Sequence, residues 1–185
     1  MKRLGIYFFF DKDGIVDKYV DYVLEDLTKH VDKLIVVCNG QLNERGRKTF
    51  EKFTGNIIVR ENKGFDVWAY KTAIDSEGWN KLIEYDEIIL MNYTIMGPVY
   101  PLKEMFDIMD KRLELDFWGI TKCFQENSPV AQQIWQCPYG YIPEHIQSSF
   151  MAFRRSIVSS TIFQKYWDEM PMIKSYYESG GSHEQ

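Results

Sequence analysis

Apolar and polar positions along this chain fall into blocks, and the block lengths predict the elements. Residues 4–10 form a continuous apolar run of strand length. Such a run is what a strand covered on both faces looks like, so it should be central in its sheet. Asp11, Lys12, Asp13 and Gly14 break it, and Ile15, Tyr19, Val20, Val23, Leu24, Leu27 and Val31 then recur at helical spacing, with Lys29 and His30 in the last turn. That spacing predicts an amphipathic helix of about five turns. A second strand is expected over 33–38, a shorter helix over 43–53 and a third strand over 55–60. A helix from about 66 to 78, a further turn capped by Asn80, and a fourth strand over 87–91 follow. Pro101 sits where a first helical turn tolerates proline, ahead of an inner face at Leu102, Met105, Phe106, Met109 and Leu113. A strand over 116–121, a stretch without periodicity over 122–144, a strand over 146–153 and a helix from Ser156 to Met170, stopped by Pro171, complete the pattern. The β-α-β-α-β alternation predicts an α/β fold in three layers, a mostly parallel sheet with helices on both faces.

The most informative junction is 57–71, where the third strand runs into a helix through Asn62, Lys63, Gly64, Phe65 and Asp66. A strand-to-helix turn of this kind puts polar side chains and free backbone N–H groups at one mouth, a natural anion site. Gly64 permits a tight turn, Asp66 is a candidate cap and Lys63 supplies positive charge. The plain alternative is a helix start with a good cap. In open α/β sheets ligands sit at the carboxyl ends of the strands. Here those ends carry Phe10 and Asp11, Asn39, then Asn62, Lys63, Gly64 and Asp66, then Asn92, Tyr93 and Thr94. A shared rim of these residues would hold a nucleotide, although polar loops at strand ends are also the general rule.

Composition narrows the classes. With 185 residues, 45% of them hydrophobic and 16% aromatic, the chain can bury one sizeable core, so one domain over 1–185 is expected. A net charge of -5 and no basic cluster argue against nucleic acid as a partner. Cys38, Cys123 and Cys137 lack the close pairs that a zinc site requires and read as thiols of a reducing compartment. The short apolar run after Lys2 and Arg3 meets Asp11 and Asp13 before it can become a signal-peptide core, and nothing approaches the run of about 18 apolar residues of a membrane span. A cytoplasmic chain is expected, able to sit beside the inner face of a membrane through partners. The polar tail over 178–185 ends without a closing element, as a fragment of something longer would.

Four ordered motifs resemble the rhamnan synthesis protein F family. They are Asn62-Lys63-Gly64-Phe65-Asp66 with Trp68-Ala69-Tyr70-Lys71; Leu90-Met91-Asn92-Tyr93-Thr94 with Gly97-Pro98 and Pro101-Leu102; Asp116-Phe117-Trp118-Gly119; and His145-Ile146-Gln147-Ser148-Ser149-Phe150 with Phe153-Arg154. The resemblance covers nearly the whole chain, from about residue 4 to 167. It implies a glycosyltransferase-like protein of bacterial surface polysaccharide or lipopolysaccharide assembly, with a Rossmann-like, GT-A-like sheet that holds a nucleotide-sugar donor. It places Asn62 and Gly64 at the donor, and Asn39 where relatives carry a base- or ribose-binding aspartate. Asn92-Tyr93-Thr94 stands where GT-A enzymes have Asp-X-Asp, which holds Mg²⁺ or Mn²⁺ against the diphosphate. This chain departs from that pattern, since an amide and a hydroxyl bind a hard cation far less well than two carboxylates. Three alternatives follow. Lys63 and helix N–H groups neutralise the diphosphate, or Asp66 or Asp11 ligates the metal, or no transfer occurs.

The chemistry implied is displacement of a nucleoside diphosphate from a sugar carbon by a hydroxyl of a polysaccharide or lipid-linked glycan acceptor. It needs a stabilised leaving group, a base and exclusion of water. His145 is the first candidate base, because imidazole titrates near neutral pH, and Asp66 is the second catalytic candidate. His183 and Glu184 are weaker alternatives, and a lone histidine at a strand start also has many structural roles. Trp135, Tyr139 and Tyr141, with Gln147, are expected at the acceptor, where sugars stack on aromatic faces; packing the loop onto the core is the competing role. The leading expectation is a glycosyltransferase of hexosyltransferase type using a nucleotide sugar, dTDP-rhamnose by analogy. A non-catalytic nucleotide-sugar or glycan binding domain is the alternative. A flavodoxin-like or receiver-like domain fits the alternation but leaves the 145–149 strand without a role.

Overall fold

The computed structural model of the chain describes residues 1–135 and 137–183. Strands β1 (Arg3–Phe10), β2 (Lys33–Asn39), β3 (Ile57–Arg60), β4 (Glu87–Asn92), β5 (Phe117–Gly119) and β8 (Phe150–Arg154) form one sheet in the order β3-β2-β1-β4-β8-β5. The first four are mutually parallel, and β8 runs against both of its neighbours. The expected mostly parallel sheet is therefore observed. Two further strands, β6 (Lys122–Cys123) and β7 (His145–Ile146), pair separately.

The two-residue period of β1 explains the layers. Leu4, Ile6 and Phe8 point to one face, against Val67, Tyr70 and Ile74 and, from the end of the chain, Trp167 and Ile173. Tyr7 and Phe9 point to the other, against Val20, Val23, Leu24, Leu27, Phe50 and Phe106. The same alternation divides β2 and β4, with Ile35, Val37, Ile88 and Leu90 on the first face and Leu34, Val36, Ile89 and Met91 on the second. Both faces are dry, which is why these strands read as unbroken apolar runs.

Helices α1 (Lys18–Leu27), α2 (Glu44–Glu51), α3 (Phe65–Glu77), α4 (Trp79–Leu82) and α5 (Leu102–Met109) connect the strands up to β5. Helix α1 is shorter than the apolar spacing predicts. The Asp11 carboxylate accepts the N–H groups of Asp13 (2.9 Å) and Ile15 (2.8 Å), holding the chain in a loop that leaves Ile15 exposed. At its other end the Thr28 hydroxyl bonds the Leu24 carbonyl, and a tight turn delivers Lys29 and His30. Leu113 lies beyond α5 and is exposed rather than on its inner face. The aperiodic stretch contains α6 (Pro129–Trp135). The single helix expected after Ser156 is two, α7 (Arg155–Val158) and α8 (Thr161–Asp168), because the Ser160 hydroxyl accepts the Phe163 N–H and caps a new start. The tail does not trail away. It forms α9 (Tyr176–Glu178) and a short π-helix, Ser179–His183, in which Ser179 and both glycines are buried.

Among the described residues, no helix is long and apolar enough to cross a membrane.

Candidate functional site

The strand order fixes where a ligand can sit. The chain runs outward from β1 to β2 to β3 and then returns to place β4 on the other side of β1, so the topological switch lies between β1 and β4. Connections leave these two strands in opposite directions, opening a crevice at their carboxyl ends. A cleft of about 480 Å³ occupies that position, with Phe8 and Phe10 from β1 and Asn92, Tyr93 and Thr94 from the end of β4 in its wall.

One side of the cleft is built by the turn from β3 into α3. Gly64 has φ +73°, and a Cβ there would lie 2.5 Å from the Cβ and Cγ of Trp68, so the turn accepts only glycine. Phe65 follows, also left-handed at φ 56°. The Arg60 guanidinium braces the turn from below, donating to the Asn39 Oδ1 (2.7 Å) and the Lys63 carbonyl (2.8 Å), while Asn39 Nδ2 donates to the Phe65 carbonyl (3.1 Å). This corrects the donor-binding expectation for Asn39. Its amide is fully buried and both ends are spent under the loop.

Asp66 stands at the centre. Gly64 takes the cap position, and the Asp66 carboxylate lines the cleft instead of capping the helix. Its Oδ1 accepts the Val67 N–H (3.0 Å), and its Oδ2 accepts the Asn92 amide (3.2 Å) and the Ser148 hydroxyl (2.9 Å). Asn92 Oδ1 in turn accepts the Thr94 N–H (3.1 Å) and hydroxyl (2.5 Å). Three segments distant in sequence are thereby locked together, and the backbone N–H of Asn92 to the Ser149 carbonyl (3.0 Å) adds a third tie between them. Tyr93 packs edge-on against Phe8 and Phe9, and burial, then Asp66 and Asp11, push its phenol up.

Of the expected donor residues, Phe10, Asn62, Asn92 and Thr94 line this cleft, as do Asp66 and Gln147. Asp11 does not, because its carboxylate closes its own loop. Lys63 and Gly64 face an adjoining hollow of about 470 Å³, which shares Asn62 and Phe65 with the cleft.

His145 lies elsewhere. With Tyr139 it lines a second cavity of about 410 Å³, walled by Tyr70, Phe117, Met151, Phe153, Phe163 and Trp167. The strand expected over 146–153 is broken, and β7 belongs to the small sheet, which carries His145 away from the rim of β1 and β4. The two cavities meet at Ser148, which lines both. His145 Nδ1 lies 2.8 Å from the Pro143 carbonyl oxygen, which can only accept, so Nδ1 carries a hydrogen and Nε2 is the ring nitrogen left for other contacts. His183 lines this cavity too, beside the Tyr166 hydroxyl at 3.2 Å, and burial lowers its pKa. Glu184 lies outside the described residues.

Trp135 and Tyr141, expected at the acceptor, line neither cavity. Trp135 packs on Tyr176 and Tyr177 of the tail, which consumes its face, and Tyr141 is exposed, its carbonyl accepting the Cys137 thiol. Residues that sequence reasoning missed are Phe65, Ser148, Tyr176 and Ser179, all in the cleft wall. Ser148 could have been found from the 145–149 motif, whereas Tyr176 reaches the cleft only because the tail folds back, and nothing local announces that.

The donor set does not fit a divalent cation held by the protein. Among the described residues of the cleft wall, Asp66 is the one carboxylate, and both of its oxygens already face N–H or O–H donors. Among the described residues, no three His, Cys, Asp or Glu side chains come close enough to hold a metal ion.

Sheet order and crevice together define a Rossmann-like, GT-A-like nucleotide-sugar and nucleotidyltransferase fold. CMP:2-keto-3-deoxy-manno-octonic acid synthetase complexed with CTP is similar with a TM-score of 0.53 at 14% identity, over 100% of this chain and 84% of that one. Glucosyl-3-phosphoglycerate synthase from Mycobacterium tuberculosis in complex with Mn²⁺ and UDP-glucose is similar with a TM-score of 0.52 at 13% identity, over 95% and 60%. The chain itself belongs to the rhamnan synthesis protein F family, whose model matches residues 34–185. Uncharacterized protein y4gN of Sinorhizobium fredii (strain NBRC 101917 / NGR234) is 23% identical over 150 residues, 80% of this chain. The chain spans 35% of the length of that curated relative.

Proposed function

We propose that this domain is a glycosyltransferase that moves a sugar, rhamnose, from a nucleotide-sugar donor to a growing cell-surface glycan. The observation that carries the reading is the pair of cavities, about 480 Å³ at the switch point of the sheet and about 410 Å³ next to it, which meet at Ser148. A transferase must hold two substrates with their reacting atoms in contact, and two pockets with one shared wall residue meet that demand. The donor's nucleoside and sugar occupy the cleft, with Asn62, Asn92, Thr94 and Gln147 offering amide and hydroxyl contacts and Phe10 an aromatic face. The acceptor occupies the second cavity, with Tyr139 at its wall.

In the reaction the acceptor oxygen attacks the anomeric carbon, the bond from that carbon to the phosphate oxygen breaks, and the nucleoside diphosphate leaves. The hydroxyl proton passes to His145 Nε2, whose orientation is set by the Nδ1–H bond to Pro143. Asp66, held by Val67, Asn92 and Ser148, faces the positive charge that develops at the anomeric carbon. The family's description as a rhamnan synthesis protein supports rhamnose as the sugar, with dTDP-rhamnose as the first donor to test.

A second reading, a non-catalytic nucleotide-sugar binding domain, is favoured by the neutral Asn92-Tyr93-Thr94 where two carboxylates would be expected. Calorimetry with nucleoside diphosphates and donor-consumption assays separate the two. Binding with turnover that disappears in Asp66→Ala and His145→Ala, with the fold intact by circular dichroism, supports transfer. Binding without turnover supports the second reading, and no binding by any nucleotide refutes both.

A further inference from the structure

We infer that the donor's diphosphate is held outside the cleft, in the adjoining hollow, by the ammonium groups of Lys63 and Lys174. The inference rests on the nucleotide-sugar reading above. Among the described residues that line the cleft, Asp66 is the one charged side chain. A diphosphate drawn fully inside would face a carboxylate with no cation opposite it, and burying such a charge unpaired is costly. The hollow next to it shares Asn62 and Phe65 with the cleft, so a donor folded at its diphosphate, with nucleoside and sugar in the cleft, can occupy both. Among the described residues, the charged side chains of the hollow's lining are Lys63 and Lys174, with Glu61 and Glu178 contacting these two residues from outside the lining.

The two lysines come from segments more than a hundred residues apart, and each is presented differently. Lys63 Nζ lies 2.8 Å from Glu61 Oε1 in a pair whose side chains are 57% and 71% exposed. A pair so exposed is worth little and exchanges readily for a phosphate, which offers more charge and more acceptor oxygens. Lys174 is fixed through its backbone. Trp68 Nε1 donates to the Pro171 carbonyl (2.8 Å), Ile173 is buried in the core, and the Lys174 N–H donates to Glu178 Oε2 (2.8 Å). The segment is anchored on both sides of an exposed lysine. The same Trp68 forbids a Cβ at Gly64, so a single indole sets the turn that carries Lys63 and the segment that carries Lys174.

This arrangement divides the donor by charge. The uncharged nucleoside and sugar meet amides, hydroxyls and aromatic rings, and the phosphates meet ammonium groups at the mouth. It also supplies the leaving-group stabilisation that the cleft's own donor set does not offer to a metal ion.

Isothermal calorimetry on the purified chain with thymidine, dTMP and dTDP, repeated with the uridine series, tests the assignment. Affinity should rise from nucleoside to diphosphate. Lys63→Ala and Lys174→Ala should each weaken dTDP by about three- to tenfold while leaving thymidine unchanged, as expected for a charge-assisted contact near solvent. Glu61→Gln, which frees Lys63, should tighten dTDP. Lys165→Ala, which removes an exposed lysine on α8, should do nothing to either ligand. Full dTDP affinity in the Lys63→Ala, Lys174→Ala double variant, with thymidine binding intact, would overturn the phosphate site and leave the nucleotide reading standing. Failure of every nucleoside and nucleotide to bind would overturn both.

Discussion

Gly64→Ala should be among the most damaging small substitutions in this chain. The residue sits at φ +73°, where any side chain with a Cβ costs about 1–2 kcal/mol. The added methyl would also lie 2.5 Å from two Trp68 carbons, and Trp68 cannot withdraw freely because its indole N–H holds Pro171. Making room in packed surroundings costs about 1–3 kcal/mol more. The sum is about 2–5 kcal/mol, measurable by urea unfolding followed by far-ultraviolet circular dichroism. Gly64→Asn separates the two contributions, since asparagine tolerates the left-handed region but brings the same Cβ; it should recover part of the loss and no more. Because the turn also positions Asn62 and Asp66, nucleotide affinity measured on the folded fraction should fall in both variants. Gly64→Ala within about 1 kcal/mol of the parent, at unchanged nucleotide affinity, would refute the claim that this turn is sterically specified.

Other outcomes follow from the same geometry. Glu87 is fully buried, with Arg3 Nε and Trp118 Nε1 both at 2.7 Å and Arg154 Nε at 3.1 Å; Glu87→Gln leaves Arg3 with Asp110 alone as its carboxylate and Arg154 with the Met109 carbonyl, and should cost about 3 kcal/mol in thermal or urea unfolding. Burial lowers the His183 pKa, partly opposed by Glu178, so its neutral form belongs to the folded tail. That contribution is complete above the unfolded value of about 6.5 and is lost as pH falls through the lower folded value. Protection factors over 176–183, with the slower intrinsic exchange at low pH divided out, should therefore fall on acidification, and His183→Phe should flatten the dependence. Mn²⁺ or a chelator should change dTDP affinity by less than about threefold, since one fully hydrogen-bonded carboxylate makes a poor cation site; a large enhancement would show that a cation bridges Asp66 to phosphate.

How much of this was legible in the sequence depends on whether a feature is encoded locally. The central strands were readable because burial on both faces leaves an unbroken apolar run, and β1 and β4 gave the crevice its place. The direction of β8 was not readable, because a five-residue strand reads the same in either direction and only its partners distinguish them. Asn39, Asn62 and Asn92 show the limit most clearly, since all three follow a strand and look equivalent. Yet Asn39 is consumed by Arg60 and Phe65 below the turn, Asn62 is exposed beside both hollows, and Asn92 binds Asp66. What separates them is which neighbour arrives to take the amide, and that neighbour is 21 to 26 residues away for each of the two that are bonded.

The tail carries the argument a step further. Its polar composition of serine, glycine and charged residues reads as an end without a closing element. The structure places Gly181 so close to α6 that a Cβ would lie 1.5 Å from the Trp135 carbonyl oxygen. Glycine there permits an approach between backbones rather than a flexible linker. That approach packs Tyr176 tilted and Tyr177 edge-on against Trp135, draws Tyr176 and Ser179 into the cleft wall, and leaves Lys174 lining the same hollow as Lys63. Gly181→Ala should consequently weaken nucleotide binding although residue 181 lies in neither cavity, because it displaces the segment that completes one wall of the cleft and half of the cationic hollow. Calorimetry with dTDP on a variant whose far-ultraviolet spectrum and unfolding midpoint match the parent would show it. Unaltered affinity would mean that the first strands and the turn at Gly64 suffice, and that the tail is packing alone.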